Sequence, residues 1–195
     1  METLNPLPKA EADKVIARTV EILDRYTKLY SQLSDSRFKD YLSYMASEGF
    51  SDEDEFIKPK LFRDFLEEVL LFPVDEYIPE HTAGAGIPDF QPTDILLHPF
   101  FFEIKGSDTS DLTQHLNQVR KYLKAPFRLG ILTNMRDILA YDAEAVVPIL
   151  RVSLVKLYRA NKDHPRHVLE FPNTKRFLEF VSRFRHQNLD RARVQ

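Results

Sequence analysis

The 195-residue sequence predicts a mixed α/β domain, and three observations carry that expectation. The chain opens on a long amphipathic helical pattern. After Pro73 the texture changes to short apolar segments punctuated by proline and glycine, as strands are. A second helical stretch then separates three such segments from one or two more.

Taken in order, KAEADKVIARTVEILDRYTKLY, from Lys9 to Tyr30, places Val15, Ile16, Val20, Leu23 and Tyr26 at helical spacing, entered after the prolines Pro6 and Pro8. A shorter helix is expected over Ser36 to Ser47, closed by Gly49. Ser51 and the acids after it read as the start of another, whose face carries Leu61, Phe65, Leu66, Val69 and Leu70. VDEYIPE, IPDFQPTDILL and HPFFFEIKG read as three strands, with the small-residue turn HTAGAG between the first two. SDTSDLTQHLNQVRKYLK is a helix with polar capping residues at its start, Ser107 and Ser110 among them. FRLGILT and ILAYD are further strands; VVPILRVSLVKLYRA fits helix or strand, and NTKRFLEFVSRFRHQ a helix.

Composition narrows the function classes. With no cysteine, disulfides and thiolate metal sites are excluded and a cytoplasmic setting is expected. No apolar run approaches the roughly 20 residues that span a bilayer, so no membrane role is expected. The net charge of −3 conceals an asymmetry: residues 151–195 hold 11 Lys/Arg against 4 Asp/Glu, a net +7 that leaves −10 for the rest. A basic C-terminal quarter can meet a polyanion, or form a solvated basic helix. Arg183 and Arg185 alternate with Phe180 and Phe184, which reads as a helix packing its phenylalanines inward.

The chemistry concentrates in FFFEIKG, Phe100 to Gly106. A strand alternates its faces, so Glu103 and Lys105 point one way and Ile104 the other. Two charges ending a buried apolar strand either satisfy each other, as an ion pair at a sheet edge, or do chemistry. Fourteen residues before Glu103 stands Asp89, in the chain's one Pro-Asp pair. If the second strand begins at Asp89 and the third ends at Glu103, an antiparallel pairing brings Asp89, Glu103 and Lys105 to one end of the sheet. Two carboxylates with carbonyl oxygens form a hard oxygen site suited to Mg²⁺, with Mn²⁺ as its substitute. A lysine beside them can orient an attacking water and offset phosphate charge, which is equipment for phosphodiester hydrolysis.

Pro88-Asp89 followed by Glu103-Ile104-Lys105, set between two helices, resembles the PD-(D/E)XK nuclease superfamily. The element order resembles its restriction-endonuclease-like αβββαβ core, here with N-terminal helices and a C-terminal helical extension. The resemblance implies catalytic roles for Asp89, Glu103 and Lys105, and metal ligation by Asp89, Glu103 and the Ile104 carbonyl. Members often add an acid from the first core helix. Glu68, which flanks the apolar face on a helical wheel where Glu67 points away, is expected in that role.

The helix carrying Gln118 and Tyr122, one turn apart, precedes a strand reading GILTN. These elements are similar to the N-terminal nuclease domain of type I-like, type IIG and type ISP restriction–modification enzymes. There the glutamine and tyrosine contact DNA or support the active site. The resemblance covers about Lys58 to Asp142 and does not reach the flanks; the chain is expected to divide into 1–50 (helical extension), 51–145 (nuclease core) and 146–195 (a basic segment packed on the core or leading to a further domain). It implies a DNA endonuclease acting on double-stranded DNA, pairing transiently on it for double-strand cuts. Helicase or methyltransferase domains of the same enzyme are implied partners, since no phosphate-binding loop for ATP and no methyltransferase cofactor motif is present. The end RARVQ leans toward a fragment of a larger enzyme over a stand-alone nuclease. Alternatives are a repair or recombination nuclease, or an inactive nuclease-like module that binds DNA or protein. The histidines show no paired metal-site spacing, and His81, in the small-residue loop, reads as a surface residue.

Overall fold

The computed structural model describes residues 7–33, 54–79, 88–105, 111–143 and 147–186. The expected helix over Ser36 to Ser47, the loop with His81 and the capping serines Ser107 and Ser110 lie outside these. Five α-helices are described: α1 (Lys9–Leu33), α2 (Asp54–Glu68), α3 (Leu116–Tyr122), α4 (Leu154–Asp163) and α5 (Pro172–Phe184). Six strands, β1 (Tyr77–Pro79), β2 (Phe90–Pro92), β3 (Phe100–Ile104), β4 (Leu129–Thr133), β5 (Asp137–Asp142) and β6 (Leu150–Ser153), form one mixed sheet in the order β1-β2-β3-β4-β5-β6. Every neighbouring pair is antiparallel except β3 with β4. The chain is therefore an α/β protein whose mixed sheet is flanked by helices.

Alternation along β3 sorts its side chains onto two layers. Phe100 and Phe102 enter the larger core with α1, α2, α4 and α5, while Phe101 enters a smaller one with Leu112, Val119, Leu132, Leu139 and Tyr141. Phenylalanine edges hold the larger core. Phe62 of α2 meets Phe102 at 5.1 Å between centroids, and Phe184 of α5 meets Phe100 at 5.2 Å, both in the edge-to-face geometry that ring quadrupoles favour. Phe177, Phe180, Val181 and Phe184 are fully buried, which is the inward-packed phenylalanine face read from the sequence.

The three segments expected from the sequence share this core. Val15, Ile22 and Tyr26 of α1 lie in one cluster with Phe65 of α2 and Phe177 of α5, and β6 extends the same sheet. The stretch readable as helix or strand is both: β6 ends at Ser153, whose hydroxyl accepts from the Lys156 N–H and caps α4. The second expected strand is shorter than its apolar pattern. It stops at Pro92, because Asp94 turns the chain by accepting from the Leu97 N–H (3.0 Å) through its side chain and from the His98 N–H (2.9 Å) through its carbonyl.

Strand directions fix two rims. β3, β4 and β6 end at one rim, where β5 begins; this is the upper rim. At the lower rim, the Arg128 and Leu129 N–H groups bond the Pro99 carbonyl at 2.8 and 3.1 Å. α5 starts at the upper rim, where Asn173 brackets Ser153, accepting from its N–H (2.9 Å) and donating to its carbonyl (2.8 Å). α5 finishes at the lower rim, where the His186 N–H meets the Leu70 carbonyl (2.7 Å). The C-terminal end of α2 thus sits at the lower rim.

Candidate active site

Glu103 lies near the top of β3, third of six strands, and is 2% exposed. An ion pair at a sheet edge is therefore not its setting. Lys105 donates to Glu103 Oε1 at 2.6 Å, and the Gln118 side-chain amide donates to the same oxygen. The other oxygen, Oε2, is buried and has no hydrogen-bond partner among the described residues. Burial pushes the Glu103 carboxyl up, against the Lys105 hydrogen bond, and the nearby Asp89 charge pushes in the same direction as burial.

Asp89 immediately precedes β2, and its side chain accepts from the Ile104 N–H. Phe90 pairs with Phe102, so the residue before Phe90 lies beside the residues after Phe102. The N–H and C=O of one strand residue point to the same neighbouring strand. The Ile104 carbonyl is accordingly directed to the β2 side, where Asp89 stands. On the other side, the Lys105 N–H bonds the Thr133 carbonyl of β4 (2.8 Å), which anchors the lysine backbone.

Gln118 reaches Glu103 because α3 packs closely on β4. A Cβ at Gly130 would stand 2.6 Å from Val119 Cγ1 and 2.8 Å from Phe101 Cζ, so glycine lets the helix sit at this depth. The glycine of GILTN is thus a packing requirement. Its Thr133 and Asn134 staple the turn into β5: Thr133 Oγ1 donates to the Asp137 carbonyl (3.0 Å), and Asn134 Oδ1 accepts from the Arg136 and Asp137 N–H groups (2.9 and 2.8 Å).

Asp89, Glu103, the Ile104 backbone, Lys105 and Gln118 are therefore brought together. Two expected site residues are placed elsewhere. Tyr122 follows Gln118 by one turn, but its ring packs edge-on against Phe101 (5.8 Å) in the smaller core. Glu68 closes α2 at the lower rim and is bound by Arg18 (2.5 Å) and Arg25 (2.9 Å) of α1. The Arg25 hydrogen bond holds its carboxyl below the usual range. Glu67, expected to point away, is half-buried like Glu68 and accepts from the Tyr77 hydroxyl (2.8 Å); a wheel carries no axial information, and direction along α2 decides which rim an acid reaches.

His115 is a residue that sequence reasoning missed. It ends the 3-10 turn Leu112–His115 that leads into α3. Burial lowers its pKa, the Lys105 charge lowers it further and the Glu103 charge opposes, so it lies within electrostatic reach of both. The available signal was its spacing: His115 and Gln118 are three apart on one helical face. The described turn is capped by Asp111, whose side chain accepts from the Thr113 N–H (2.9 Å).

The donor set fits a hard divalent cation. The Glu103 oxygen left without a partner among the described residues, the Asp89 carboxylate and the Ile104 carbonyl are all oxygen donors, and burial raises the Glu103 carboxyl despite the Lys105 ion pair. Among the described residues no group of three or more His, Cys, Asp or Glu side chains gathers for a metal, so such a cation relies on backbone oxygen and water to fill its shell. Compared with protein-family models, curated proteins and solved structures, the chain matches none. Among the described residues no helix is long and apolar enough to cross a membrane.

Proposed function

We propose that this chain is a Mg²⁺-dependent DNA endonuclease domain of PD-(D/E)XK type, with a restriction-endonuclease-like core, serving as the cleavage module of a restriction–modification enzyme. One observation carries the reading most: a carboxylate 2% exposed in mid-sheet, with one oxygen doubly hydrogen-bonded and the other orphaned. A structural ion pair has no reason to leave a buried oxygen unsatisfied, since that costs about 1–3 kcal/mol. The order of elements from α2 to β4 supports the same reading.

Asp89, Glu103 and the Ile104 carbonyl would hold the cation, which supplies Lewis-acid polarisation of the phosphoryl oxygen and acidifies water. The residues do the rest. Lys105 sits where its ammonium can orient the attacking water and balance charge that builds on the phosphate. Gln118 fixes the Glu103 rotamer by holding Oε1, which keeps Oε2 turned to the ligand side. The Ile104 N–H fixes Asp89 in the same way. Double-strand cleavage then takes two copies at the DNA, and sequence choice belongs to other domains such as a methyltransferase or helicase. Calorimetric titration with Mn²⁺ tests the donor set: the parent binds and Asp89→Ala does not. Equal binding by both would remove Asp89 from the site.

A further inference from the structure

The upper rim continues beyond the candidate active site as one hydrogen-bonded ledge. Lys105 N–H bonds Thr133 (2.8 Å); the Arg136 carbonyl of the next turn accepts from Leu154 N–H (2.8 Å); and Ser153 is bracketed by Asn173. These links connect the end of β3 to the N-terminal turns of α4 and α5. Those turns carry Lys156, Lys175 and Arg176, all exposed. Among the described residues none of the three is in an ion pair, and the acid nearest in sequence to Lys175 and Arg176, Glu179, is taken by Arg183 (3.5 Å).

We infer that this ledge is the track for the phosphate backbone of duplex DNA, with Lys156, Lys175 and Arg176 as its phosphate contacts. The inference rests on the nuclease reading of the Asp89–Glu103 site. From β3 to β6 are three strand spacings, roughly 14 Å at about 4.8 Å each. Phosphates follow one another at about 3.4 Å along the axis of one strand, so the strand ends from β3 to β6 span about four of them. α4 and α5 cover the larger-core face while Glu103 shares a face with Phe101, so the phosphate backbone crosses the rim between the two. Contacts of this kind hold and orient the duplex without reading its sequence.

The test pairs two charge-matched triple variants of the full chain. Lys156→Gln/Lys175→Gln/Arg176→Gln removes the ledge cations. Lys121→Gln/Lys124→Gln/Arg128→Gln removes the same charges, all exposed, from the end of α3 and the lower rim. Binding of a short labelled duplex is followed by anisotropy over a salt series, with Ca²⁺ replacing Mg²⁺, and cleavage is assayed separately with Mg²⁺. The ledge variant is expected to lose roughly tenfold in affinity and to flatten the log–log salt slope by about 3, while the lower-rim variant stays within about twofold of the parent. Equal losses in both variants would overturn the inference, since net charge alone would then explain binding. No loss in the ledge variant, with parent binding and cleavage intact, would overturn the track and leave the nuclease reading standing. A parent that neither binds nor cuts duplex DNA would overturn both.

Discussion

The Asp89 carboxylate accepts the Ile104 backbone N–H, tying the Pro-Asp pair to the end of a strand fifteen residues further on. That bond sets half-buried Asp89 beside buried Glu103, whose carboxyl is raised by burial and by the Asp89 charge. An arrangement that costs stability without a ligand is the physical signature of a site, and each prediction below follows from a neighbour of it.

Glu103→Gln separates stability from activity. The Glu103 carboxyl is raised above the usual carboxylate range, chiefly by burial, so the folded state holds its proton more tightly than the unfolded chain. Stability from this group is present below the unfolded pKa and is lost as pH rises through the folded one. Glu103→Gln is expected to gain about 1 kcal/mol at neutral pH in denaturant unfolding, as relief of a strained site commonly does, while cleavage disappears. A variant less stable than the parent at neutral pH would mean that the Lys105 pair outweighs burial.

Gly130→Ala tests the seat of α3. The added methyl would meet Val119 and Phe101 below 3.0 Å, so the helix must lift. Overpacking of this kind costs about 1–3 kcal/mol. Cleavage should fall as well, because α3 carries the Gln118 amide that holds Glu103. Urea unfolding and cleavage rate, measured together, check both halves.

Glu68→Gln is expected to act on stability alone. Its partners Arg18 and Arg25 are half-exposed, so the loss should be about 1 kcal/mol or less. Cleavage should match the parent within about twofold, a size that cannot hide the loss of a catalytic carboxylate. A larger drop in cleavage at unchanged stability would return Glu68 to the site.

His98 predicts acid sensitivity at the other end of the sheet. It is 4% exposed among Phe72, Phe100 and His186, with rings 5.1, 6.0 and 5.1 Å away. Burial lowers its pKa, and His186 adds to this against Asp94 and Glu76. The unfolded chain therefore takes up the proton first, so the stability from neutral His98 is present above about 6.5 and declines as pH falls below it. Thermal melting of His98→Phe should decline less between neutral and mildly acidic pH than that of the parent. Parallel curves would remove His98 as the sensor.

The α/β class was legible because each signal was local. Period 2 in FFFEIKG set the two faces of β3, and the helical spacing of Leu61, Phe65 and Val69 marked α2. The convergence of Asp89 and Glu103 was also within reach, since one antiparallel pairing brings them together. What escaped depends on three-dimensional direction. Glu68 was misplaced because a wheel is blind to which end of a helix meets which rim. Tyr122 and Gln118 share a face, yet a one-turn rise separates a core contact from a site contact. The continuity of β6 with the sheet and the bracket between Ser153 and Asn173 are long-range pairings that no local pattern announces.

The central claim, that Asp89 and Glu103 form the metal site of a nuclease, is tested most directly by cleavage of supercoiled plasmid with Mg²⁺ or Mn²⁺ by the parent and by Asp89→Ala. The account predicts nicking by the parent that requires the divalent ion and is lost in Asp89→Ala. Nicking that persists in the variant, or that proceeds equally in chelator, would contradict it.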